Sequence, residues 1–148
     1  MAPPTPVLKW AAPLALGAAA QLKGFVWEDY STPGRLYFST ADGTVRCFQD
    51  PGAGATPNSA AICSGWSSVS TAVAGAMTPI LLDKIYVGSW NGTTGTIVPI
   101  DPSTGAAGTA FLVGDGTKQV GDLSTATGGE IFVGTTEGRV FKISLPLP

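Results

Sequence analysis

The amino-acid sequence predicts an all-β chain of three four-stranded antiparallel blades in series, open unless another chain or a second copy completes them. Three observations predict it. A segment of hairpin character occurs three times, opening at Arg35, Lys84 and Glu130. The resulting spacing of 49 and then 46 residues matches the ~40–50-residue period of a β-propeller blade. Each copy turns on a glycine, in Asp42-Gly43, Asn91-Gly92 and Glu137-Gly138. Such pairs signal hairpins because both central residues of a type I′ turn need positive φ. Finally, the only helix candidate, residues 11–22, is interrupted by Pro13 and Gly17, which a helix interior resists.

Taken in order, the chain divides into units of approximately 7–50, 63–105 and 108–146 within a single domain, 1–148. The first opens at Lys9-Trp10, with residues 11–16 read as an outer strand, and closes with the hairpin 35–48 (RLYFSTADGTVRCF). The second opens at Gly65-Trp66 and ends in the hairpin beginning KIYVGSWNG. The third opens at Ala110-Phe111 and ends in EIFVGTTEGRVFKI, residues 130–143. Each unit thus has an aromatic residue opening a strand, a Gly/Ala-rich connection, a second strand and a hairpin, which is four strands per blade. Gly88 and Gly134, matched by Ser39, fall mid-hairpin, where packed sheets leave little room.

The start of the chain also admits a signal-peptide reading, with Lys9, an apolar stretch and Ala18-Ala19-Ala20 before a cleavage point. Pro13 and the alignment with later units favour the strand. No run approaches the ~18 apolar residues of a spanning helix. Cys47 and Cys63 stand 16 positions apart, flanking a Gly/Pro/Ala-rich loop. A disulfide closing such a loop stabilises by about 3 kcal/mol under the chain-entropy account, and it implies an extracellular, cell-surface or periplasmic setting. The other reading is two unlinked buried thiols.

Composition excludes several functions. The net charge is −2, with eight basic and ten acidic residues and no histidine. Eight dispersed cations make no nucleic-acid footprint, and histidine-dependent nucleophiles, bases and metal sites are ruled out. There is no G-x-S-x-G elbow, P-loop or dinucleotide fingerprint. The acidic groups Glu28, Asp29, Asp42 and Asp50, and likewise Asp115 and Asp122, match no calcium loop and read as turn and cap chemistry.

Asp101-Pro-Ser-Thr-Gly105, following the strand that ends at Ile100, resembles the D-x-x-T-G core of pyrroloquinoline-quinone-like β-propeller repeats, as do KIYVGSWNG and EIFVGTTEG. Only the second unit has the core, and the docking-tryptophan place that follows it is vacant, with Gly108 near it and Phe111 one shift away. The resemblance implies a propeller fold and is nearly silent on function. The family's enzymes hold a quinone and a calcium ion inside eight blades, often under a disulfide of adjacent cysteines. None of those roles transfers to a residue here, so no cofactor, metal or catalytic residue is expected.

Three blades leave open edges, and closed propellers have 4–8 blades. Both termini are apolar. The expectation is therefore a non-enzymatic module, structural or protein-binding, that associates with a partner or itself; two copies would make six blades. Equally, the chain reads as the end of a longer propeller with Met1 an introduced start. A second function class is a glycan-binding, lectin-like propeller using Trp27, Tyr30 and Trp90, aromatic residues on or beside loops that otherwise serve packing. A fragment of a quinone-dependent dehydrogenase ranks third.

Overall fold

In the computed structural model, which describes residues 9–16, 21–58, 62–67 and 75–147 together with the backbone of 69–70, ten strands form three antiparallel sheets. The first sheet runs β1 (Leu22–Glu28), β2 (Arg35–Thr40), β3 (Thr44–Gln49), β4 (Val69–Ser70). The second holds β5 (Ile85–Trp90), β6 (Gly95–Ile100) and β7 (Phe111–Leu112). The third holds β8 (Val120–Ala126), β9 (Glu130–Thr135) and β10 (Val140–Ser144). All three hairpins read from the sequence are present. The described residues contain no helix.

Strand count departs from the expected four per sheet, which only the first sheet reaches. In the second, residues 76–79 run beside β5 without making a ladder. Thr78 N donates to Tyr86 O at 2.9 Å, but Tyr86 N donates to the Thr78 hydroxyl at 3.0 Å, so a side chain replaces the next rung, and Pro79 has no N–H to continue it. The outermost strands of the first two sheets, β4 and β7, come from the stretches that open the next unit, at Trp66 and Phe111. Beyond β10, Leu145 and Leu147 pack on the third sheet's own core. The C-terminal apolar run, expected to reach for a neighbour, is engaged within the chain. The N-terminal arm 1–8 and Ala18-Ala19-Ala20 lie outside the described residues.

Residues 11–16 are not a strand either. This stretch lies against the outer side of the first sheet, where Trp10 meets Phe48 edge-on at 6.0 Å and donates from Nε1 to Asp50 at 2.7 Å. The hairpin turns differ in detail from the type I′ expectation, since Gly43, Gly92 and Gly138 have positive φ but their preceding residues do not. Gly43 N bonds to Thr40 O and Gly138 N to Thr135 O, a turn followed by a left-handed glycine, the three-residue hairpin arrangement. Two consecutive non-glycine residues at positive φ occur elsewhere, at Leu82 (47°) and Asp83 (58°), where Leu81 and Lys84 exchange both backbone bonds. The third unit fills the same turn with Gly128-Gly129.

The sheets stack face to face in chain order, because side chains alternate across a strand. On the second sheet, Ile85, Val87, Val98 and Ile100 join Tyr37, Val45, Cys47, Trp66 and Met77 in one buried cluster with the first sheet. From its other face, Tyr86 and Ile97 join Val120, Leu123, Ile131 and Val133 of the third. Buried on both faces, β5 reads as nearly unbroken apolar sequence, whereas β10 alternates exposed and half-buried.

Glycine sets the spacing. A Cβ on Gly88 would lie 2.8 Å from the carbonyl oxygen of Gly121 in the third sheet, closer than real Cβ atoms approach backbone. Gly134, its counterpart, has nothing nearer than Arg139 O at 4.0 Å. The expected tight packing therefore exists at Gly88 and not at Gly134, whose face has no sheet against it. At dilutions where chains are separate, Gly88→Ala should accordingly lower stability by about 1–3 kcal/mol through overpacking, while Gly134→Ala should change it by about 0.5 kcal/mol or less. Urea denaturation of the two variants checks this; equal losses would contradict the one-sided packing.

Candidate functional site

Two regions carry the features the sequence singled out. The first lies at the end of the stack where β1 turns into β2. Asp29 follows β1 and is buried; its Oδ1 accepts from Ser31 N (2.9 Å), the Ser31 hydroxyl (2.6 Å) and Thr32 N (3.1 Å). Burial pushes this carboxyl up, but the bonds from Ser31, Thr32 and Tyr37 outweigh it and hold the group below its ordinary value. Asp101 repeats the motif, accepting from Ser103 N, the Ser103 hydroxyl and Thr104 N. The Ser103 hydroxyl, then the Lys84 ammonium 3.0 Å away, hold Asp101 well below the carboxylate range. The shared signal was present in the sequence as D-x-S-T at 29–32 and at 101–104.

The loop 101–105 is a clasp between the first two sheets. Tyr37, fully buried, donates its hydroxyl to Pro102 O at 2.8 Å, and Ser67 N donates to Thr104 O at 2.9 Å. The indole of Trp66 lies so close over Gly105 (φ 77°) that a Cβ there would meet it at 2.9 Å. Cys47 and Cys63 are joined as a disulfide, and Trp66 N bonds to Cys63 O at 3.0 Å, so the bridge anchors the tryptophan that covers the loop.

Trp27 and Tyr30 come together, and Trp90 does not join them. The first two line a depression of about 310 Å³ with Glu28, Asp29 and Asp83. Tyr30 is 90% exposed; Trp27 is half-buried and its Nε1 already donates to Met77 O at 3.1 Å. Trp90 ends β5 beside the Asn91-Gly92 turn, whereas Trp27 is paired with Tyr37 near the opposite end of β2. Asp83 was missed because nothing in Leu82-Asp83 announces a positive-φ turn. Three of the other acidic residues, Asp42, Asp50 and Asp115, do the turn and cap work expected of them. Asp42 accepts from Thr40, Thr44 and Arg46, Asp50 from Gly52 N, and Asp115 from Thr117. Asp122 instead reaches across sheets, accepting from Ala76 N at 2.7 Å. Among the described residues no three carboxylates or thiols converge as a metal centre.

The second region is the outer face of the third sheet. Register places Phe132 opposite Lys142 and Gly134 opposite Val140. Val140 is 73% and Phe132 36% exposed. Along Gly121 and Gly134 runs a groove of about 330 Å³, bounded by Gln119 and Thr136. The Thr135 hydroxyl, also lining it, is buried and has no partner among the described residues. Sequence reading found the open edges but not this face, because facing is decided by which sheet packs on which.

No protein-family model matches the chain, and no curated protein matches it.

The carboxyl clusters predict a pH dependence. Asp42 sits at about 2 rather than 3.8, held there first by the Thr40 hydroxyl, and Asp101 is lowered too. Groups more acidic in the folded than the unfolded chain contribute stability that is present above the unfolded value and lost as pH falls towards the folded one. The urea midpoint should therefore hold steady down to pH ~5 and fall between pH ~4 and ~2. Asp42→Asn and Asp101→Asn should each flatten that fall; an unchanged slope in both would contradict the assignment.

Proposed function

We propose that the chain is a non-enzymatic β-propeller-type module, exported, whose work is structural association rather than catalysis. The observation that carries this reading is the outer face of the third sheet. Phe132, Gly134 and Val140 occupy the register positions that hold Tyr37, Ser39 and Val45 in the first sheet and Tyr86, Gly88 and Ile97 in the second. Those six are all sealed between sheets or pressed against the next one. A face built to the same plan and left bare is a face for a neighbour. Support for a propeller comes from sheets stacked in chain order with the same contact used twice. The docking role that quinoprotein-like repeats give a tryptophan fits Trp66 over Gly105, supplied here by the opening of the same unit. The disulfide supports an oxidising compartment.

The test is accessibility in the native setting. Val140→Cys should react with a bulky maleimide at least about tenfold more slowly in the protein as its source cells assemble it than in the dilute purified chain. Thr93→Cys, in an exposed turn, should react alike in both. Equal reactivity of Val140→Cys in the two settings would contradict the association reading.

A second reading, glycan binding, is favoured by the convergence of Trp27 and Tyr30 on one depression with Glu28 and Asp83, an aromatic platform beside exposed carboxylates. On a glycan array it predicts a signal lost in Tyr30→Ala and retained in Trp90→Ala, since Trp90 lies elsewhere. A blank array for the unsubstituted protein would remove it.

A further inference from the structure

The bare face of the third sheet has its complement in the same chain. The two sheet-to-sheet junctions each join a back, made of Tyr37, Ser39 and Val45 or of Tyr86, Gly88 and Ile97, to a front. The fronts are Met77, Ile85 and Val87 for the second sheet and Leu123, Ile131 and Val133 for the third, and all six are buried. By register the front of the first sheet is Val26, Leu36 and Phe38. Among the described residues no sheet lies on it. Residues 10–16 lie across it, so that Phe38 and Phe48 are buried, but an apolar groove of about 300 Å³ remains between Trp10, Pro13, Leu14 and Leu16 on one side and Leu22, Val26, Leu36 and Phe38 on the other. Val26 is 44% exposed, where its counterparts Met77 and Leu123 are 2% and 8%.

A second observation points the same way. The outermost strands of the first two sheets are supplied by the stretch opening the next unit, behind Trp66 and at Phe111. Among the described residues the third sheet has no such strand on β10. Among the described residues, the one opening stretch that pairs with no sheet is the first, at Trp10.

We infer that the outer face of the third sheet docks, head to tail, on the first sheet of a second copy of this chain. Phe132 enters the groove over Val26, Leu36 and Phe38, as Tyr37 and Tyr86 lie against the equivalent residues within the chain. The second copy's stretch following Trp10 borders the free edge of β10. One partner thereby supplies both the missing face and the missing edge. The contact is heterologous, so it closes into a ring or continues as an open array according to the angle between copies. This inference rests on the association reading and names its partner.

The experiment uses light scattering coupled to size exclusion on the purified full chain. Phe132→Glu damages only the back and Val26→Glu only the front; both sites are solvent-exposed, and unchanged far- and near-UV circular dichroism spectra confirm the fold. Gly134→Glu and Leu22→Glu are the replacements should either fail that check. The expected result is an assembly of at least two 15.0 kDa chains for the unsubstituted protein, and self-association weakened about tenfold or more in each variant. An equimolar mixture of the two variants should then give a dimer, because one intact back meets one intact front. A monomeric unsubstituted protein, variants that assemble as before, or a mixture that stays monomeric would each overturn the inference. Protection of Val140→Cys in the native setting alongside a monomeric purified chain would overturn only the second-copy partner and leave the association reading standing. Reactivity there as well would remove both.

Discussion

Everything in this fold depends on how closely the first strands of successive sheets approach, and that distance is set by missing side chains. A Cβ on Gly24 would lie 2.2 Å from the Ala76 Cβ, and one on Gly75 would lie 2.3 Å from the Asp122 carboxylate. The same position in each unit therefore abuts the unit that follows. Close approach lets Asp122 accept from Ala76 N and Leu123 N reach Ala76 O, so polar backbone at the junction is satisfied across sheets rather than left buried without partners. Apolar side chains fill the remaining depth between the faces. In the third unit the corresponding glycine, Gly121, meets only its own sheet, at Gly134 O 3.5 Å away.

The junctions are not equally braced. Between the first and second sheets the loop at 101–105 receives Tyr37, Ser67 and Trp66, and the disulfide holds Trp66 in place. Between the second and third sheets no D-x-S-T loop of this kind intervenes; there Tyr86 and Ile97 pack on the third sheet, Gly88 approaches Gly121, and Ala76 exchanges hydrogen bonds with Asp122 and Leu123.

Much of the fold was legible because its signals are local. Alternating apolar residues and turn glycines mark the three hairpins, and the two cysteines flank a loop whose closure is geometrically simple. The D-x-S-T repeats were legible as turns, although their role as a clasp was not, since it depends on Tyr37 arriving from another sheet. The fourth strands were misplaced for a related reason. Whether residues 11–16 or 76–79 form a ladder depends on an available edge and on Thr78 substituting its hydroxyl for a carbonyl, and neither is encoded in periodicity. Of the three aromatic residues singled out, Trp27 and Tyr30 meet because β1 and its turn carry both. Trp90 has the same local sequence character and sits at the far end of its hairpin.

The functional account follows from counting faces rather than catalytic groups: two junctions built to one plan, and the two halves of a third left apart. Its central claim is the stacking of sheets through the glycine positions. The most direct measurement is nuclear Overhauser contacts in the folded protein between the Gly24 α-protons and the Ala76 methyl, and between the Gly88 α-protons and the Val120 methyls. The account predicts strong cross-peaks for both pairs. A dispersed, folded spectrum in which both are absent would contradict it.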